Sequence, residues 1–104
     1  MTVSAALPLD GLQVLDLSRV LAGPYATQLL GDLGAEVWKI EQPGVGDETR
    51  GWGPPFVAQE SAYYLSVNRN KKSVTLDFAE PRDRGALLAA VREADVVVEN
   101  FLPG

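Results

Sequence analysis

The chain has 104 residues, 46% hydrophobic and 22% charged, a balance typical of one modest globular domain. It contains neither cysteine nor histidine; this excludes disulfide frameworks, thiol nucleophiles, Ser-His-Asp catalysis and the commonest metal ligand, so no metal is expected. Nine basic against 14 acidic residues give a formal net charge of −5, which argues against nucleic acid or an anionic membrane as a partner.

Met1 to Pro8 is small and apolar without a clear period and reads as a loose lead-in. It lacks the basic start and long apolar core of a secretory signal. No apolar run approaches the ~20 residues of a membrane span, and a reducing, cytoplasmic location is expected. Asp10-Gly11 marks a turn before a first strand, Leu12 to Leu17. Ser18 to Ala22 is then a turn, Gly23 lets the backbone bend, and Pro24 suits the start of a helix because its missing N–H is unpaired there anyway. That helix runs from about Pro24 to Leu33, with Tyr25, Leu29, Leu30 and Leu33 on its apolar face and Gln28 and Asp32 off it. Gly34 fits a left-handed C-terminal cap, and Glu36 to Ile40 alternates as a second strand. Strand, helix and strand in so short a span form a βαβ unit, with parallel strands.

Glu41 to Glu60 is rich in glycine and proline and carries Trp52 and Phe56, the signature of a long irregular loop that packs on something. Ser61 to Val67 reads as a short helix capped by Ser61. Asn68 to Lys72 (NRNKK) is the densest basic run, and Ser73 to Phe78 alternates as a third strand. Glu80-Pro81 opens a helix bearing Leu87, Leu88, Val91 and Ala94. Asp95 precedes an apolar fourth strand in VVVEN, and Phe101 to Gly104 is a turn. The fold class is therefore α/β, a Rossmann-like parallel sheet of about four strands with flanking helices. No closing helix covers the last strand, so the chain reads as the N-terminal part of a larger domain.

In a parallel sheet, ligands gather at the carboxyl ends of the strands. Ser18 to Gly23, Glu41-Gln42, Leu76-Asp77 and Asn100-Phe101 all fall at that edge. Arg19 stands in the first turn, either as a ligand-binding cation or paired to Glu41. Asp16, inside an apolar strand, is expected to accept backbone N–H bonds from a neighbouring loop. Arg69, Lys71 and Lys72 are either a solvated face or a phosphate site. Asn100 and Phe101 are either a turn amide and a core ring, the reading the two residues alone favour, or an amide and a ring for a planar base. A nicotinamide-binding module is the weakest reading, because the turn SRVLAGP has one glycine where the dinucleotide fingerprint needs three.

Taken together, LDGLQVLDLSRVLAGPYATQLLGDLGAEVWKIEQPGVGDETRGWGPPF, SAYYLSVNRNKKSVTLD and ADVVVENFLPG resemble the N-terminus of the class III CoA-transferases, the CaiB/BaiF family, from about Leu9 to Gly104. That family includes formyl-CoA transferase, carnitine CoA-transferase and α-methylacyl-CoA racemase. The resemblance implies a Rossmann-like large domain, an interlocked homodimer, and transfer of CoA between carboxylic acids through an aspartyl-CoA intermediate, with acyl-CoA and a carboxylic acid as partners. A carboxylate nucleophile suits a chain without cysteine or histidine, but its family motif falls after Gly104 and no aspartate here matches it. The piece alone is therefore expected to be inactive. By the same resemblance, coenzyme A is held by Arg19, Val20, Leu21, Ala22, Gln42, Leu76, Asn100 and Phe101. Arg69 and Lys72 are added from charge alone, for a phosphate. Arg19 and Leu21 stand where formyl-CoA transferase has His and Gln, and Gln42 where it has Arg; these departures point away from formyl and oxalyl substrates. GDETRGWGPPF with LSVNRNKKS looks most like the transferases for dicarboxylic acids such as succinate and glutarate. An acyl-CoA racemase of the same family and a partly folded, non-catalytic fragment are the alternatives.

Overall fold

The structure, a computed structural model, describes residues 6–103; most of the expected lead-in and the terminal Gly104 lie outside them. Four parallel strands form the main sheet: β1 (Gln13–Asp16), β2 (Glu36–Glu41), β5 (Lys71–Thr75) and β6 (Val96–Val98), in the order β5-β2-β1-β6. Helix α1 (Ala22–Asp32) links β1 to β2, and α3 (Pro81–Glu93) links β5 to β6. The α/β reading and the βαβ start therefore hold. The chain adds β2 and β5 outward on one side of β1, then crosses back through α3 to lay β6 on its other side. That reversal creates a crevice between the carboxyl ends of β1 and β6, the place where open α/β sheets bind ligands.

The two faces of the sheet differ in chemistry. On one, Leu15, Leu17 and Ile40 pack with Val74, Leu76, Leu87, Ala90 and Ala94 beneath α3. On the other, Val14, Val37 and Ala35 form a small apolar cluster with Leu30 of α1, while Asp16, Lys39, Glu41 and the Lys71 side chain are buried beside them. Fully burying a valine, leucine or isoleucine contributes about 1.5–3 kcal/mol, so each face gains from its apolar residues. The second face must also satisfy charges.

That requirement turns α1 away from its expected orientation, leaving Leu30 as the one residue of the expected face that packs against the core. Its buried residues are Pro24, Thr27 and Gln28, whereas Tyr25, Leu29 and Leu33 are 52%, 44% and 46% exposed. Against a charged sheet surface the helix presents hydrogen-bonding groups: Thr27 Oγ1 donates to Asp16 at 2.6 Å, and Gln28 bridges Ser66 O and Arg69 N. The helix also begins at Ala22, with Pro24 still in the first turn, where no intrahelical N–H is lost. Gly23 is needed for closeness rather than for bending, because a Cβ there would collide with the Ser18 side chain. Gly34 adopts φ +111° just after the helix, as a left-handed terminator should.

Two further boundaries differ from expectation. The third main-sheet strand starts at Lys71 and ends at Thr75, not Ser73 to Phe78. Lys71 enters the strand because its ammonium finds buried carboxylate and carbonyl partners, and Leu76 to Phe78 are released into the crevice. Within the loop from Glu41 to Glu60, Phe56–Val57 (β3) and Glu60–Ser61 (β4) pair as an antiparallel hairpin. Its turn, Ala58-Gln59, has both residues at positive φ without the Asn-Gly signal such turns prefer. Ser61 then caps α2 (Ala62–Ser66) through its Oγ, as predicted.

Two glycine substitutions test this packing. Gly23→Ala is expected to destabilise the protein by about 1–3 kcal/mol. Gly85→Ala, in α3, where an added Cβ meets nothing within 4 Å, is expected to stabilise it by about 0.5–1 kcal/mol. Urea unfolding curves of the two variants should move to opposite sides of the parent's.

Candidate ligand-binding site

The crevice at the carboxyl edge holds a cavity of about 280 Å³. Its walls come from the carboxyl ends of all four main-sheet strands. Arg19 follows β1, Gln42 follows β2, Leu76 to Ala79 follow β5, and Phe101 follows β6. Arg19 is the one cation among its lining residues; Glu41, Asp47 and Asp77 are the carboxylates. An apolar floor of Leu17, Ile40 and Leu76 with two aromatic rings, Phe78 and Phe101, suits a flat apolar group beside a charged one.

Four of the sequence-predicted residues, Arg19, Gln42, Leu76 and Phe101, thus meet in one cavity. Asn100 does not line it. Its amide clasps the backbone of Arg19 from both sides: Asn100 Nδ2 donates to Arg19 O at 2.9 Å, and Arg19 N donates to Asn100 Oδ1 at 3.2 Å. Val20, Leu21 and Ala22 continue from Arg19 into the N-terminus of α1 and stand outside the lining; Leu21 is half-exposed. Val20 carries φ +75°, a left-handed conformation that a β-branched residue enters only at a cost of order 1–3 kcal/mol and that clusters at functional sites.

Arg69 and Lys72 lie elsewhere. Parallel pairing sets Lys71 opposite Val37, so the basic run begins at the amino-terminal edge. Arg69 forks onto Asp32 at 2.7 Å. Lys72 pairs with Glu36 at 3.0 Å and lies over the Trp38 ring. The residues that sequence reasoning missed are Phe78 and Ala79, placed inside or just past an over-long strand, and Gly46 and Asp47, taken as part of an undifferentiated loop. The one available signal was that residues just after a parallel strand reach the ligand edge.

Comparison with known proteins decides what kind of chain carries this crevice. Residues 9–104 match the model of CoA-transferase family III. The chain belongs to that family. It is 59% identical over 97 residues to the succinyl-CoA:glutarate CoA-transferase of Homo sapiens, covering 93% of this chain and 22% of the relative. It is 49% identical over 100 residues to a succinate–glutarate CoA-transferase of Agrobacterium fabrum, covering 90% and 25%. A CaiB/BaiF family protein from Brucella suis superposes with a TM-score of 0.88 at 50% identity, over 93% of this chain and 26% of that one. The chain therefore spans about a quarter of the length of these relatives.

In this family III chain a buried ionic layer borders the crevice through Glu41 and Asp47. Asp16 accepts from Ser18 N, Ser18 Oγ, Thr27 Oγ1 and the Lys71 ammonium, which fulfils its expected structural role. Burial by itself would raise its carboxyl, but the bonds from Ser18, Thr27 and Lys71 outweigh that and hold it below the ordinary aspartate value. Burial pulls the Lys71 ammonium down, with Asp16 opposing; Lys71 also donates to Pro24 O and Asn68 Oδ1. Glu41 gathers Arg50 in a two-pronged contact at 2.6 and 2.8 Å, the Tyr64 hydroxyl at 2.7 Å, Ser73 Oγ and the Asp47 N–H. Burial opposes ionisation of Glu41 too, yet the Arg50, Tyr64, Asp47 and Ser73 donors bring it from 4.5 down to about 2. Burial followed by the neighbouring Glu41 raises the Tyr64 phenol, so it stays a neutral donor. Asp47, paired to Lys39 at 2.9 Å and capping a 3-10 turn (Glu48–Gly51) through Thr49, is likewise held below its ordinary value.

These shifts set an acid limit. From pH 4.5 down to about 2 the unfolded chain takes up a proton that folded Glu41 refuses, so stability present above pH 4.5 is lost as pH falls through that window, by about 3 kcal/mol from this group. Thermal melts followed by circular dichroism should show a falling midpoint between pH 5 and pH 2. Glu41→Gln should lower the midpoint at pH 6 and flatten its slope across that range.

Proposed function

We propose that this chain forms the CoA-binding wall of a CoA-transferase that moves CoA between dicarboxylic acids, succinate and glutarate being the reference pair. The observation that carries this reading is the switch-point crevice itself. One cation, Arg19, stands with the carboxylates Glu41, Asp47 and Asp77 around an apolar, aromatic floor, in a chain 59% identical to a succinyl-CoA:glutarate CoA-transferase. Arg19 supplies charge for an anionic group of the acyl-CoA. Leu76, Phe78 and Phe101 supply the apolar and aromatic surface, Gln42 a neutral hydrogen-bonding group, and Val20 to Ala22 the approach to the α1 N-terminus. Asn100 acts through Arg19, whose backbone it holds.

The aspartyl-CoA intermediate implied by the family requires a reachable carboxylate. Asp16 and Asp47 are buried and committed to multiple donors, so neither serves as that nucleophile. We assign the nucleophile to no aspartate of this chain. An interlocked homodimer, as the family resemblance implies, is the assembly in which we expect the crevice to be completed. The transferase reading is preferred to racemisation because both curated relatives above are named as transferases.

Arg69 and Lys72 have no part in this reading, since each is spent on a carboxylate at the opposite edge. Titration calorimetry with CoA should separate the two groups. Arg19→Ala is expected to weaken binding about tenfold or more, as loss of one charge-assisted contact would, whereas Arg69→Ala and Lys72→Ala should stay within twofold of the parent. Activity is tested in the protein as its gene encodes it, by mixing it with succinyl-CoA and glutarate and following glutaryl-CoA. No glutaryl-CoA, together with no CoA binding, would overturn the assignment.

A further inference from the structure

Three successive residues of the turn after β1 have their backbone polar atoms gripped by side chains from distant parts of the chain. Lys39 Nζ, from β2, donates to Ser18 O at 3.1 Å. Asn100, after β6, takes both the N–H and the carbonyl of Arg19. Asp47, from the loop after β2, accepts from Val20 N at 3.2 Å. Lys39 and Asp47 are also bonded to each other at 2.9 Å, with side chains 1% and 0% exposed.

We propose that the buried Lys39–Asp47 pair is a positioning device for the ligand turn: it holds Val20 in its left-handed conformation and thereby aims Arg19 into the crevice. The proposal rests on the reading of the crevice as a CoA site. Stability alone is a poor explanation for the pair, because an apolar pair of similar volume is commonly as stable or more so than a buried ion pair. Its geometry is better explained by what it holds. Each partner spends a further hydrogen bond on the turn, one on either side of Arg19. The residue so held is a valine at φ +75°, which relaxes to an extended conformation when released. Asp47 is itself fixed: its Oδ1 takes the N–H and hydroxyl of Thr49, and its own N–H donates to Glu41. The restraint is therefore rigid at both ends, which is what pre-organisation of a binding group requires.

The test is the double variant Lys39→Met, Asp47→Asn in the protein as its gene encodes it. The substitution removes both charges together, so no lone charge is left buried, and the asparagine keeps an oxygen for Thr49. The expected result is a melting midpoint within about 5 °C of the parent, CoA affinity lowered tenfold or more by calorimetry, and a crystal structure in which Val20 has left positive φ. A merely structural pair would move the midpoint and leave folded-state affinity and the Val20 φ unchanged. Affinity within twofold of the parent, or a turn that superposes on the parent's, overturns the proposal. Should the double variant fail to fold, the pair Lys39→Gln, Asp47→Asn, which also leaves no lone charge buried and still removes the Val20 acceptor, is read by the same two measurements. A parent that does not bind CoA refutes the CoA reading, and the positioning role is then decided by the Val20 φ alone.

Discussion

Asp16 is the point on which the arrangement depends. It sits at the end of a central strand with no exposure, where an unpaired carboxylate would be prohibitively costly. Its two oxygens therefore dictate what surrounds them. Ser18 must fold back to cap it, α1 must bring Thr27 over it, and β5 must be set so that Lys71 points inward. Each partner in turn fixes something further. Ser18 starts the turn, Thr27 fixes the rotation of α1, and Lys71 ties Pro24 O and Asn68 Oδ1 to the same point. Beside it, Lys39–Asp47 and Glu41–Arg50–Tyr64 repeat the device at the outer end of β2, where they fasten the loop that follows.

Such a layer is an expensive way to hold a sheet against a helix. The α3 face shows the cheaper alternative, with leucine, isoleucine and valine against alanine. What the ionic face provides is directionality. Apolar packing tolerates sliding, whereas charge-assisted bonds of 2.6–3.0 Å admit one placement of donor and acceptor. The cost falls where the loops at the strand ends are fixed: at Ser18 to Val20 and at the loop after β2. Among the described residues, no buried side-chain nitrogen or oxygen is left without a partner, so the layer is complete in itself.

Much of the architecture was legible in the amino-acid pattern, because it rests on short-range signals. Alternation marked β2, the apolar run marked β6, Gly34 marked the end of α1, and Ser61 marked the start of α2. The carboxyl edge of the sheet followed from parallel connectivity, and with it the meeting of Arg19, Gln42, Leu76 and Phe101 around one cavity. What was not legible depends on pairings across long sequence separations. Nothing near Lys71 reveals that its partner is Asp16, and without that knowledge NRNKK reads as a basic loop. Nothing near Gln28 reveals that it will face Ser66 and Arg69, so Leu29 and Leu33 read with Leu30 as its inner face, although only Leu30 packs there. The error in β5 has the same origin. Hydrophobic alternation favours Ser73 to Phe78, whereas the ion pair draws the strand back to Lys71 and frees Phe78 for the crevice.

The register of β5 has a consequence for how this sequence can change. Successive residues of a strand face opposite sides, so Lys71 and Ser73 meet the ionic layer while Lys72 and Val74 turn the other way. One residue inserted or removed between Val67 and Asn70 would exchange the two sets, placing Val74 among carboxylates and turning Lys71 away from Asp16. The connection is exposed along part of its length and looks free to vary. Its residue count is nonetheless dictated from inside the domain, by electrostatics.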